Sequence, residues 1–262
     1  MSDALNLRWT FMQTAAAEIM SAAVVEHRFE EHFHENWAIG CIDRGVCSFT
    51  AASRPLEARA GDLVVIPPYA VHTGGTGDSE LAYRMAYVGE GWLSSLAGIV
   101  LGAPEVAFST LVVHDPSVAS RLSAALVPEA MAEPQRRALL VQALVALLAR
   151  HASPRRDARA PRVSLEDARD GRGLLRTLGG RNLSRSALIH RFTRRFGLSP
   201  LRYERNLRCV SAKALLRQGM PIVEAAQALG FSDQAHFTRE FKKVHHITPG
   251  GYRRLLRTRG EI

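Results

Sequence analysis

Between residues 32 and 88 the chain alternates short apolar runs with turn-forming residues. Residues 37–42, 46–51, 62–66 and 81–88 are the runs, and Gly45, Arg54-Pro55, Gly61, Pro67-Pro68 and Gly74-Gly75 separate them. Runs of this length bounded by glycine and proline predict strands, and this many at such spacing predict a small β-barrel or sandwich. The apolar period then lengthens. Residues 116–131 carry apolar side chains at 118, 122 and 126, and residues 135–151 at 139, 140, 143, 144, 147 and 148, so two helices are expected after the sheet. The second stripe is broad enough to cover the barrel or to pair with its twin in another chain.

From residue 154 to 162 two prolines bracket charged and small residues without apolar periodicity, which reads as an exposed linker. Three regions follow: 1–153, a linker at 154–162, and 163–262. In the last, residues 221–229 form a short amphipathic helix with Pro221 at its start. Gly230 permits a turn, Phe231 is an apolar plug, and Ser232 and Asp233 can cap the next helix. On that helix Phe237, Phe241 and Val244 share one face, while Ala235, His236, Arg239, Lys242 and Lys243 fall opposite, with Gln234 at the margin. A similar unit lies upstream, where Ser184 precedes a helix with Leu188 and Phe192 at i, i+4. Gly197, Ser199 and Pro200 stop it, and residues 201–218 then suit one long connecting helix. The expected domain is therefore all-α, with two helix-turn-helix units on a shared spine.

Charge sharpens this division. The 262 residues suit about two domains, and the formal net charge of +9 is unevenly spread. Residues 1–153 hold 10 Lys and Arg against 16 Asp and Glu, a formal −6; residues 154–262 hold 24 against 9, a formal +15. Concentrated positive charge is the expected footprint of a polyanion partner, because neutralised phosphates release counterions; a solubilising arginine surface is the alternative reading of charge alone. A basic helix with small residues near its N-terminus can enter a major groove, where arginine pairs with guanine. Three cysteines, Cys41, Cys47 and Cys209, cannot make a disulfide framework and suit a reducing cytoplasm. No apolar run reaches the ~18 residues of a bilayer span, and residues 1–8 do not read as a secretory signal. A membrane association is not expected.

In the acidic region, strand periodicity puts His32 and His34 on one side. With His72 they could bind a divalent metal, hydrogen-bond an organic effector, or be satisfied polar residues at a barrel mouth. Trp37, Tyr69, Tyr83, Arg84 and Tyr87 could add aromatic surface and one cation to a pocket. No Ser/His/Asp set, phosphate loop or Cys/His nucleophile pair is present elsewhere, so an enzyme is not expected.

The basic region resembles the AraC/XylS family of bacterial transcription regulators. The resemblance runs from Leu183 to Arg253 and rests on Leu183-Ser184 with Leu188, Arg191 and Phe192, Gly197-Leu198-Ser199-Pro200 with Tyr203, Ala214-Leu215-Leu216, Gly230-Phe231-Ser232-Asp233, Phe237, Phe241-Lys242-Lys243 and Thr248-Pro249 with Tyr252-Arg253. It implies a double-stranded promoter DNA partner, read by Arg185, Ser186 and His190 from the first unit and by Gln234, Ala235, His236, Arg239 and Lys242 from the second. Just before the first reader, residues 169–180 contain four glycines where two helices stand in family members, so its supporting helix is expected to be short or irregular.

The acidic region resembles the cupin-like effector-binding domain that often precedes such readers, on His32-Phe33-His34, Gly45 and the stretch 61–72. This implies that His32, His34 and His72 face the barrel interior and, with Trp37, Tyr83 and Arg84, contact a small-molecule effector. Metal-binding cupins generally add a glutamate a few residues after the paired histidines, and here Ala38 stands there. No metal or other cofactor is therefore expected, and a cupin oxygenase or isomerase is disfavoured. The resemblance further implies a homodimer, contact with RNA polymerase, and activation more often than repression.

Overall fold

The computed structural model describes residues 8–14, 17–51, 54–76, 80–127, 131–155, 163–165 and 184–257. The glycine-bearing stretch 169–180, Leu183 and most of the linker lie outside the described residues. By contacts the chain divides into two compact units. One holds residues 1–29, 35–68 and 73–158; the other holds 159–262 together with the short segments 30–34 and 69–72.

The first unit is built on a six-stranded antiparallel sheet. Its order is β1 (Arg8–Gln13), β2 (Ala17–Val24), β9 (Leu81–Val88), β4 (Trp37–Arg44), β7 (Asp62–Ile66) and β11 (Val112–His114). A four-stranded sheet runs β3 (Arg28–His32), β8 (His72–Gly75), β5 (Val46–Ala51) and β6 (Arg54–Arg59), and β10 (Val106–Phe108) pairs with β12 (Ala152–Pro154). All four expected strands are present, the first extended to Arg44. Gly45 takes φ 83°, and a Cβ there would stand 2.1 Å from the Glu80 carbonyl oxygen, so only glycine fits the β4–β5 turn.

Alternation decides what each strand residue meets. Trp37, Ile39 and Cys41 of β4 pair in register with Val88, Ala86 and Arg84 of β9. Together with Ala17, Ile19, Leu63 and Val65 they form the face covered by three helices: α1 (Glu90–Leu101), α2 (Pro116–Ala125) and α3 (Glu133–His151). Leu140, Ala143, Leu144, Leu147 and Leu148 are the buried stripe of α3, so the broad face read from the sequence does cover the sheet. The helix expected over 116–131 ends instead at Ala125, where the Leu126 N–H turns back onto the Leu122 and Ser123 carbonyls. Pro128 disfavours helical backbone at the residue before it. Helix α1, which the sequence reading did not anticipate, carries Leu93 and Ala97 into the same core.

The second unit contains α4 (Arg185–Phe196), α5 (Pro200–Arg217), α6 (Ile222–Ala228), α7 (Gln234–His245) and α8 (Pro249–Arg257). Helix α5 is the expected spine. Its Tyr203, Leu207 and Val210 enter a core with Phe192 and Leu198, while Cys209, Ala212 and Leu216 enter another with Ala225, Leu229, Phe231, Phe237, Phe241 and Tyr252. Full burial of phenylalanines such as 237 and 241, both 0% exposed, stabilises by about 2–3 kcal/mol each.

Asp115 fixes the start of α2. Its carboxylate accepts from the Val118 N–H at 3.1 Å, Arg150 Nη1 at 3.1 Å and His151 Nε2 at 2.9 Å. The His151 bond first, and the Val118 and Arg150 bonds after it, hold this carboxyl well below the usual range despite partial burial. A depressed carboxylate contributes stability above its unfolded pKa near 4 and loses it as pH falls below that value. Asp115→Ala is therefore expected to cost about 1–2 kcal/mol at neutral pH, measured by urea unfolding, with the gap to the wild type closing as pH is lowered below about 4.

Candidate DNA-reading helices and histidine cluster

Both reading helices begin with a side-chain cap. Ser184 Oγ accepts the Ala187 N–H at 3.2 Å, and Asp233 Oδ1 accepts the His236 N–H at 2.7 Å. The bond from His236, then that from the Ser232 hydroxyl, lowers the Asp233 carboxyl from its ordinary value. Such caps fix the first turn, where base-contacting side chains must stand. Behind α4 lies buried Phe192, and behind α7 lie Phe237, Phe241 and Val244. Opposite these, Arg185, Ser186 and His190 are exposed on α4, and Gln234, Ala235, Arg239 and Lys242 on α7. His236 is half-buried: its ring lies 5.5 Å from Phe231 and its Nδ1 is 3.1 Å from Ser232 Oγ. The turn between α6 and α7 is closed by the Phe231 N–H on the Ala226 carbonyl, with Gly230 at φ 72°.

The expected effector contacts are not all brought together. Tyr83 is on the face of β9 opposite Arg84. Its ring meets Phe29 edge-on at 6.5 Å, and Tyr87, four residues on and on the same face, donates to Met20 Sδ at 3.9 Å. Burial pushes both tyrosine hydroxyls well above their ordinary pKa. Trp37 lies on the helix-covered side, where it packs edge-on against Phe108 at 5.8 Å. Arg84 also points to that side, bonding Ser123 Oγ at 2.5 Å and pairing with Asp43 at 2.9 Å. One residue of parity separates Arg84 from Tyr83, and this places them on opposite faces of the sheet.

The three histidines do converge. One nitrogen from each of His32, His34 and His72 lies within 4.8 Å of the others, and all three side chains are buried. His32 Nδ1 donates to the Glu30 carbonyl at 2.7 Å and His72 Nδ1 to the Ala70 carbonyl at 2.9 Å. Both imidazoles therefore turn Nε2 away from the backbone. Burial lowers the pKa of His32 to about 3, with the neighbouring His246 acting in the same direction, and lowers that of His72 to about 3. His34 is lowered too, by burial and then by the surrounding imidazoles. Burial disfavours the charged imidazolium, so these rings are neutral at pH 7.

Their surroundings differ from the expectation of a barrel interior. His32 is the last residue of β3, His34 lies beyond it and His72 is the first of β8, so strand alternation no longer fixes their direction. They fall in the second unit. There His32 meets His246 at 5.1 Å between ring centroids, and His34 meets His245 at 6.2 Å. Asn206 of α5 holds the intervening backbone, donating to the Phe33 carbonyl at 2.9 Å and accepting its N–H at 3.3 Å.

His245 and His246 were not singled out in the sequence, yet a signal was present. The run Phe196-Gly197-Leu198-Ser199-Pro200 after α4 corresponds to His245-His246-Ile247-Thr248-Pro249 after α7. Each helix ends with a left-handed residue whose N–H bonds the carbonyl four back: Gly197 at φ 80° and His246 at φ 59°. A side chain in that conformation costs on the order of 1 kcal/mol that glycine avoids.

An AraC-like ligand binding domain model matches residues 17–155, more than half of the chain, and a helix-turn-helix domain model matches residues 181–255. The uncharacterized HTH-type transcriptional regulator YbfI of Bacillus subtilis is 25% identical over 226 residues, covering 81% of this chain and 82% of YbfI. The HTH-type transcriptional regulator MtrA of Neisseria gonorrhoeae is 35% identical over 74 residues, and the arabinose operon regulatory protein of Escherichia coli 39% over 72. Those two alignments cover 28% and 27% of this chain and 25% of each relative. Among solved structures, ToxT of Vibrio cholerae with an unsaturated fatty acid bound has a similar fold, with a TM-score of 0.53 at 11% identity over 92% of this chain and 96% of ToxT. The chain thus belongs to the AraC family, as a DNA-binding transcription regulator with an AraC-like ligand-binding domain.

Proposed function

We propose that this protein is a sequence-specific regulator, acting in the cytoplasm as an activator, whose grip on promoter DNA is set by a small effector taken up by its N-terminal domain. The observation that carries the DNA-reading role is the pair of capped helices, each buried on a phenylalanine face and exposed on a polar or cationic one. Arg185, Ser186 and His190 read one half of the site. Gln234, Ala235 and Arg239 read the other, and Lys242 contacts phosphate. Ala235 suits a thymine methyl, and Arg239 suits the acceptors of guanine. His236, held against Phe231 and Ser232, serves the shape of the helix start.

The effector must bind one arrangement of the protein better than another, because only differential affinity shifts an equilibrium. The match to a ligand-binding domain supports such a role, and the fatty acid on ToxT is a precedent in that protein for an organic ligand. Tyr83 and Tyr87 present a buried aromatic face, whereas Trp37 and Arg84 are committed to packing beneath the helices. On this reading the protein is a homodimer that recruits RNA polymerase. Exposed Ala138 and half-buried Val141 form an outward apolar strip on α3 with Pro134, beside the stripe that covers the sheet.

Footprinting of the full chain upstream of its own gene tests the central reading, with a protected, sequence-selective site expected. Arg239→Ala should lose about 1–3 kcal/mol at one base position and relax selectivity there. Lys242→Ala should weaken all sequences alike and lower the salt slope by about one ion. Equal, salt-sensitive binding to every duplex would overturn the reading. For assembly, Val141→Asp should shift the sedimentation of the protein toward monomer while leaving its circular dichroism unchanged.

A further inference from the structure

We propose that His32, His34, His72 and His246 form a binding site for a divalent transition-metal cation of the zinc, cobalt or nickel class. This deepens the regulatory reading by naming a ligand class, and it rests on that reading only for its consequence at DNA.

The donor set carries the argument. Three buried imidazole nitrogens lie within 4.8 Å of one another. Two nitrogens bound at ~2.0–2.1 Å to a tetrahedral ion stand ~3.4 Å apart, so ring rotations of an ångström or so bring them to ligand distance. The tautomers are set for it. The Nδ1–H groups of His32 and His72 donate to the backbone carbonyls of Glu30 and Ala70, the outer bond that metal-ligating histidines make, which leaves the Nε2 lone pair for the ion. Imidazole ligands favour zinc, copper, iron and nickel over magnesium or calcium.

His246 supplies an independent observation. It stands next to His32, 5.1 Å between ring centroids. It occupies the left-handed cap where the sister helix has Gly197. A side chain in the place that glycine fills best points to a task for that side chain. As fourth ligand, His246 takes the place of the carboxylate that the sequence lacks. An ion there would tie the C-terminal cap of reading helix α7 to segments 30–34 and 69–72, and occupancy would then alter how α7 is held.

The experiment uses the full chain, stripped with a chelator and titrated with Co²⁺ alone, then displaced with Zn²⁺, with visible absorption and metal analysis as readouts. One ion per chain with a tetrahedral cobalt spectrum is expected. His34→Ala and His72→Gln should weaken binding about 10- to 100-fold or abolish it. His246→Gly is the discriminating variant. Glycine suits the left-handed cap, so the metal-free variant should melt at or above the wild-type temperature, yet bind Co²⁺ about tenfold or more weakly. Absence of saturable binding, or affinity unchanged in all three variants, overturns the site. Unchanged affinity in His246→Gly alone overturns the four-histidine set. Gel shifts with and without Zn²⁺ report the consequence at DNA; a chain with no selective DNA binding would defeat the regulatory reading while leaving the metal stoichiometry intact.

Discussion

The DNA-reading unit depends on helix α5 burying side chains in two cores at once. Tyr203, Leu207 and Val210 point into the core that backs α4, while Cys209, Ala212 and Leu216 point into the one that backs α7. Helical geometry separates these stripes around one rod. Each reader is therefore fixed by packing to the same rigid element. Readers that are not fixed to each other would lose the entropic advantage of recognising two groove segments in one event.

The six-stranded sheet solves a related problem by having two faces. Its helix-covered face accounts for Trp37, Ile39 and Cys41, and for the packing stripe of α3. The opposite face carries Tyr83, Tyr87 and Met20. Because side chains alternate strictly along a strand, a pair of adjacent residues such as Tyr83 and Arg84 cannot serve one pocket. Arg84 instead joins Asp43 to Ser123 beneath α2, a half-buried polar junction that fixes the helix on the sheet.

The histidines show how a site can arise where regular structure ends. His32 and His72 sit at strand termini, and their rings are set by backbone carbonyls two residues away. Burial keeps them neutral, so they offer lone pairs in place of charge. His246 joins them from the end of α7, in a backbone conformation that its sister position fills with glycine.

Much of this was legible in the amino-acid order. The capped amphipathic helices, the glycine and proline stops, and the charge contrast between the halves are local properties, and local sequence specifies them. So was a small β-barrel or sandwich, since short apolar runs between turn residues predict strands. What the order of residues could not settle was facing and company. Whether Trp37 meets an effector or Phe108 depends on strand register and on helix α1, which the alternation pattern had not revealed. The convergence of His32, His34, His72 and His246 joins positions separated by as many as 214 residues, and only tertiary packing brings such distant groups within reach of one another.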